Sequence, residues 1–244
     1  DIKSFQKLLE TPLSSKNTKN SFYFLKKENS NLSPCPIAVA KDSAFHFLYP
    51  ETKDCLESLN MPVINWSPLN DEHFPKEAKG LIIPGGFPEE YAEELENCKK
   101  SLNDIRNIFG KLPIYAECGG MLLLGKSLAT HNNKVYSMAG ILPIHARKGP
   151  LKVGYRKTKG LGNSFIIKKR EEFIGHEFHR WEIGIEMNEL NLKNKIKPAW
   201  EIQGWNIKKF QEGWSNKKLH ASWIHLNWAS NLNIVERFRN ATFS

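Results

Sequence analysis

The stretch Leu112-Pro113-Ile114-Tyr115-Ala116-Glu117-Cys118-Gly119-Gly120-Met121 limits what this chain can fold into more than any other. A short apolar strand runs directly into a cysteine, two glycines follow, and the apolar spacing of a helix begins at once. A strand that turns so sharply into a helix lifts the residue at the bend above the sheet edge, and the glycines allow close backbone approach. Ligand sites of open α/β sheets lie at these carboxyl ends of strands. A cysteine at the start of a helix also faces the positive end of the macrodipole, which favours thiolate over thiol. Cys118 is therefore the candidate nucleophile; a buried structural cysteine would not need the two glycines.

The surrounding chain supports a sheet of the same kind. Apolar runs at 36–40, 62–66, 80–83 and 112–116 are short enough for buried strands, and helical patterns at 51–60, 88–109 and 119–128 separate them. Such alternation predicts a mostly parallel, doubly wound α/β sheet with helices on both faces. In the second half the runs 135–144, 152–158, 164–168, 172–178 and 199–205 are separated by Gly, Asn and Lys and predict antiparallel additions. A last apolar strand spans 219–224 and a closing helix 231–240. Residues 1–10 have helical spacing, and 11–33, rich in Ser, Asn and Lys, read as a linker.

An acyl-transfer nucleophile needs a base and donors for the oxyanion. Leu81-Ile82-Ile83-Pro84-Gly85-Gly86-Phe87-Pro88 ends a strand in a double-glycine turn one helix and one strand before Cys118. Backbone N–H groups near Gly85 and Gly86, with that of Gly119, are the candidate oxyanion and substrate donors. Of eight histidines, His225 ends the last predicted strand on the edge where Cys118 sits, whereas His220 starts it. His225 is thus the candidate base, with His176 and His179 next. A metal site from His176, Glu177 and His179 fits neither a zinc helix motif nor a closed site, and no metal is expected.

Composition narrows the setting. Four cysteines, Cys35, Cys55, Cys98 and Cys118, form no CxxC pair, so neither disulfide framework nor zinc site is expected and a reducing cytoplasm is the simplest location. No apolar run reaches the roughly 20 residues of a membrane span. The formal charge of +9 is spread over scattered lysines with no basic stripe and interleaved aromatics, so no nucleic acid is expected; a polyanionic substrate suits the charge equally well. The chain begins without Met or signal pattern, as a fragment or processed product would.

Together the segments Tyr115-Ala116-Glu117-Cys118-Gly119-Gly120, Pro84-Gly85-Gly86-Phe87-Pro88-Glu89 and Leu219-His220-Ala221-Ser222-Trp223-Ile224-His225 resemble the cobyrinic acid a,c-diamide synthase family, in its C-terminal class I glutaminase domain of the cobyrinate/cobyrate type. Ala38-Val39-Ala40-Lys41-Asp42-Ser43-Ala44-Phe45, Gly154-Tyr155-Arg156 and Gly175-His176-Glu177-Phe178-His179 add to the likeness, which runs in order from about Pro36 to Ser230. The resemblance implies an ATP-dependent ligase that amidates the a- and c-carboxylates of cobyrinic acid in cobalamin synthesis. Glutamine hydrolysis belongs to this half, with Cys118 as nucleophile and His225 as base. The corrinoid substrate and ATP belong to a synthetase domain.

Two departures qualify this. No phosphate loop with Gly-Lys-Thr is present, so residues 1–33 become helix and linker from an ATP-binding domain outside this chain, and 34–244 the glutaminase domain. No cofactor is expected here, and Mg with ATP belongs to that other domain. Glutaminases of this class with a full triad place Glu two residues after the base. Asn227 stands there, which implies a Cys-His dyad oriented by Asn227. Oligomeric state is not fixed by the sequence, and a homodimer is compatible with it. Cobyric acid or nickel-sirohydrochlorin amidation, an unrelated cysteine hydrolase or peptidase on the same sheet, and a non-catalytic relic remain open.

Overall fold

Why the sheet forms is visible in β1 (Ile37–Ala40), whose four residues are all buried and whose side chains alternate between two cores. The computed structural model describes residues 32–185, 196–205 and 207–244. The helix expected over 1–10 and all but the last two residues of the linker expected over 11–33 lie outside the described residues.

The order of the strands places the site. β1, β3 (Val63–Trp66), β4 (Leu81–Ile83), β6 (Ile114–Glu117) and β13 (Leu219–Ser222) form the parallel part, in the order β3-β1-β4-β6-β13. The sheet continues as β12 (Ile207–Ser215), β11 (Lys197–Gly204), β9 (Ile144–Gly160), β7 (Ser127–Ala129) and β8 (Val135–Ser137), with β10 (Glu172–Ile185) paired antiparallel to β9. β13 is the seam: parallel to β6 on one side, antiparallel to β12 on the other. This is an α/β sheet, parallel where the first half of the chain builds it and antiparallel through most of the second.

Helices cover both faces. α1 (Pro50–Ser58) and α5 (Asn233–Ala241) pack on the face that takes Ile37, Val39, Ile82 and Tyr115. α2 (Ala92–Asn97), α3 (Lys99–Ile108) and α4 (Gly119–Leu124) cover the face of Ala38, Leu81, Ile83, Ile114 and Ala116. Each fully buried Ile or Leu contributes about 1.5–3 kcal/mol. Among the described residues no helix is long and apolar enough to cross a membrane.

Three expectations need correction. The single helix predicted over 88–109 is a 3-10 turn (Pro88–Tyr91) followed by α2 and α3, broken at Cys98. The Cys98 thiol donates to the Glu94 and Leu69 carbonyls at 3.1 and 3.3 Å. Asp71 accepts the Ser101 N–H at 3.0 Å, so α3 is capped from another loop. Residues 164–168 are not a strand: the Ser164 hydroxyl accepts the N–H groups of Ile166 and Ile167, and the apolar side chains are buried from a turn. The last strand stops at Ser222, three residues short of His225. A two-stranded ribbon of β2 (Phe45–Phe47) and β5 (Gly85–Gly86), not predicted, lies beside the site.

Candidate active site

Cys118 sits where β6 ends and α4 begins, with φ 48° and ψ −110°. A non-glycine residue in that region is strained and persists only when its surroundings over-determine it. The surroundings do so: the Cys118 N–H donates to the Ser222 carbonyl of β13 at 2.7 Å, and its own carbonyl accepts the Leu122 N–H of α4. The thiol is 8% exposed and faces a cavity of about 320 Å³. All four cysteines are free.

His225 reaches Cys118 from beyond the end of β13. An antiparallel bridge fixes its backbone, His225 N–H to the His176 carbonyl at 2.8 Å and His176 N–H to the His225 carbonyl at 3.0 Å. Its Nδ1 lies 3.2 Å from Glu117 Oε2. The Cys118 thiol donates to the Phe178 carbonyl at 3.7 Å, and the Cys118 side chain acts on the imidazole by hydrogen bonding and Coulomb attraction. Burial opposes a charge on His225, but hydrogen bonds and Coulomb attraction from Cys118 and Glu117 override it and push the pKa up to about 10.

Glu117, absent from the sequence expectation, is the third member of this arrangement. It is 2% exposed, and its Oε1 accepts the Tyr115 hydroxyl at 2.5 Å and the Leu226 N–H at 2.9 Å. The carboxylate is held between strand and loop with its other oxygen turned to the imidazole. A glutamate at the end of an otherwise apolar buried strand, with a tyrosine two residues earlier on the same face, was the signal available.

Asn227 does not orient His225. Its Oδ1 accepts the Ala229 N–H at 3.0 Å and caps the 3-10 turn Trp228–Ser230. A short polar side chain beside its own backbone N–H groups takes the local bond. The carboxylate beside His225 is thus that of Glu117, and Asn227 is turned to its own loop.

The glycines divide between two tasks. Gly86 and Gly119 both line the cavity, and a Cβ on Gly119 would come within 2.7 Å of Pro88 Cδ and 3.0 Å of the Gly86 carbonyl. Gly85 packs on the base instead: a Cβ there would stand 2.5 Å from His225 Cε1. Successive residues of an extended segment face opposite ways, so the pair cannot both face the cavity.

The other histidines have structural settings. His220 is fully buried between Tyr115 and Trp200, and burial drives its pKa down to about 3. His179 lines the cavity, but Nδ1 meets the Trp181 carbonyl at 2.7 Å, Nε2 meets Glu177 Oε1 at 2.9 Å, and the ring stacks on Trp223 at 3.7 Å. Glu177 also pairs with Arg156. These atoms are engaged with one another.

The same fold occurs among known glutamine amidotransferases. A glutamine amidotransferase from Thermotoga maritima superposes with a TM-score of 0.54 and 14% identity, covering 85% of this chain and 84% of that one. PurLQS from Thermotoga maritima gives 0.57 and 11%, covering 86% and 98%. The fold is that of the class I glutamine amidotransferases. More narrowly, the chain belongs to the CobB/CobQ-like glutamine amidotransferase domain family, whose profile matches residues 36–232. It is 32% identical over 241 residues to a cobyrinate a,c-diamide synthase from Priestia megaterium, covering 98% of this chain and 50% of the relative. The chain spans about half the length of the relatives it matches.

Proposed function

We propose that the chain is the glutaminase half of an ATP-dependent amidoligase acting on the a- and c-carboxylates of cobyrinic acid. One observation carries the glutaminase reading: a strained cysteine faces a small cavity and acts on a histidine whose Nδ1 meets a buried glutamate held by two further hydrogen bonds.

The reaction uses these groups in sequence. The Cys118 thiolate attacks the side-chain amide carbon of glutamine, and the N–H groups of Gly86 and Gly119 receive the oxyanion. His225, held cationic by Glu117, gives its Nε2 proton to the departing nitrogen, which leaves as ammonia while a thioester forms. Water then attacks the thioester, His225 takes its proton, and glutamate leaves as the C–S bond breaks. The thiolate–imidazolium pair is restored, and the sum is glutamine plus water to glutamate plus ammonia.

The acceptor belongs to the rest of the ligase. The relatives named cobyrinate a,c-diamide synthase are about twice as long, which supports a further domain in the full-length protein; we propose that it is the ATP-binding synthetase domain, N-terminal to residue 34, with Mg and ATP bound there. Ammonia release from glutamine, measured beside peptide and ester hydrolysis, tests the first half. Release that disappears in Cys118→Ala is expected, whereas hydrolysis of peptides or esters without glutamine turnover contradicts it. For the second half, the full-length ligase should amidate cobyrinic acid with ATP and glutamine.

A further inference from the structure

The outward face of the β9–β10 hairpin is apolar where a solvated strand face would be polar. In register, Val153 stands opposite Phe178, and Tyr155 opposite His176. Residues two apart on a strand point the same way, so Ile174 joins them as the diagonal neighbour of Tyr155. Tyr155 is 76% exposed and Ile174 69%. The rings run on without a gap: the centroids of Tyr155 and His176 lie 5.7 Å apart, and those of His176 and Phe178 6.3 Å. His176 then leads to a second cavity, of about 330 Å³, which His46, Phe47 and Tyr49 line from the side of β2 and His225 also lines. This cavity shares no lining residue with the one that Cys118 faces. Phe47, itself 57% exposed, carries the apolar surface across it, with its ring 6.2 Å from that of His225. Farther along the hairpin the surface turns polar, with Lys157 paired to Glu172 at 2.9 Å and Lys209 to Glu201 at 3.2 Å. An apolar centre bounded by charged residues is the anatomy of a protein interface, and such patches are seldom left to water.

Two further facts point to the occupant. The chain spans about half the length of the relatives named cobyrinate a,c-diamide synthase, so those proteins carry about as much chain again. The patch is also tied to the catalytic pair, because His176 at its centre makes the backbone bridge to His225. A half that consumes the ammonia formed beside His225 has to sit within reach of it, and this is the exposed apolar face joined to that residue. We propose that the face running from Ile174 through Tyr155 to Phe47 is where the synthetase half of the ligase docks, with an apolar side chain of that half seated in the second cavity. The proposal rests on the ligase reading and names the surface that joins the two halves. A second copy of this chain is the competing occupant, but it would bring another source of ammonia to the patch rather than a consumer.

The test is photo-cross-linking in the full-length protein, with p-benzoylphenylalanine placed at position 155. Isotopically heavy and light protein are mixed before irradiation, and cross-linked peptides are identified by mass spectrometry. Cross-links to peptides outside these 244 residues are the expected result. Heavy–light cross-links joining two copies of this domain overturn the proposal, as does the absence of any cross-link to the other half. Charge placed on the patch gives a second readout. Tyr155→Glu combined with Ile174→Glu should lower glutamine-dependent amidation at least about tenfold, since it puts carboxylates at the centre of the interface. Glutamine hydrolysis and amidation by free ammonia should each stay within about twofold of wild type, because neither position touches a reacting group. Both side chains are exposed, so thermal melting of this domain should not change. Glutamine-dependent amidation equal to that of wild type overturns the proposal. A wild-type protein that cross-links as expected but does not amidate cobyrinic acid defeats the ligase reading alone. One that amidates it without the cross-link defeats the docking surface alone.

Discussion

At the scale of single residues, the distinctive feature of the proposed mechanism is an acid, Glu117, next to the proposed nucleophile in sequence and acting through the proposed base, His225. Glu117 and Cys118 are consecutive, and both act on the same imidazole, the carboxylate at Nδ1. Replacing Glu117 by Gln keeps the Tyr115 and Leu226 contacts in shape but removes the negative charge, so kcat for glutaminase should fall by about 10²-fold. The pH profile separates this from a packing defect. His225 has a folded pKa of about 10 against 6.5 when unperturbed, so its proton is present below that value and is lost as pH rises through about 10. The wild-type alkaline limb should lie near pH 10, and Glu117→Gln should move it to lower pH; an unmoved limb would deny Glu117 its role. The proximity of Cys118, Gly86 and Gly119 around one cavity was legible in the sequence because each stands at or beside a predicted strand end. The acid was not, since the expectation looked two positions after the base and found Asn227, which caps a turn.

At the scale of elements, the site depends on loop 222–226 being held between β6, β10 and β12. Glu212 of β12 does much of this, accepting the Ser222 hydroxyl at 2.6 Å, the Trp200 indole N–H at 2.8 Å and the Trp223 N–H at 2.9 Å. Glu212→Ala leaves three buried donors without an acceptor and should cost about 3 kcal/mol in urea-monitored stability, with His225 displaced and activity lost. Glu212→Gln, which keeps two acceptor positions at most, should lie between it and wild type. The parallel strands were readable because Leu81–Ile83 and Ile114–Ala116 are covered on both faces and so are uniformly apolar. β9 was underestimated, since much of its 17 residues is exposed and reads as loop composition. The run 164–168 misled for the opposite reason: Phe165, Ile166 and Ile167 are buried, and burial alone does not make a strand.

At the scale of the whole molecule, the seam between parallel and antiparallel halves runs along β13, and the proposed catalytic groups gather at its carboxyl end. The nucleophile comes from the parallel half and the clamp on the base, His176, from the antiparallel half, so neither half makes the site alone. Under the proposed function, in which glutamine hydrolysis and amidation occupy separate sites, Cys118→Ala in the full-length protein should abolish glutamine-dependent amidation while leaving amidation by free ammonia within about twofold of wild type. The most direct measurement is the site and rate of alkylation by a glutamine-mimicking electrophile such as 6-diazo-5-oxo-norleucine, mapped by peptide mass spectrometry. One adduct on Cys118, blocked by glutamine and slowed about 10²-fold by His225→Ala, is the predicted result. Labelling of Cys35, Cys55 or Cys98 instead, or a rate indifferent to both glutamine and His225, would contradict it.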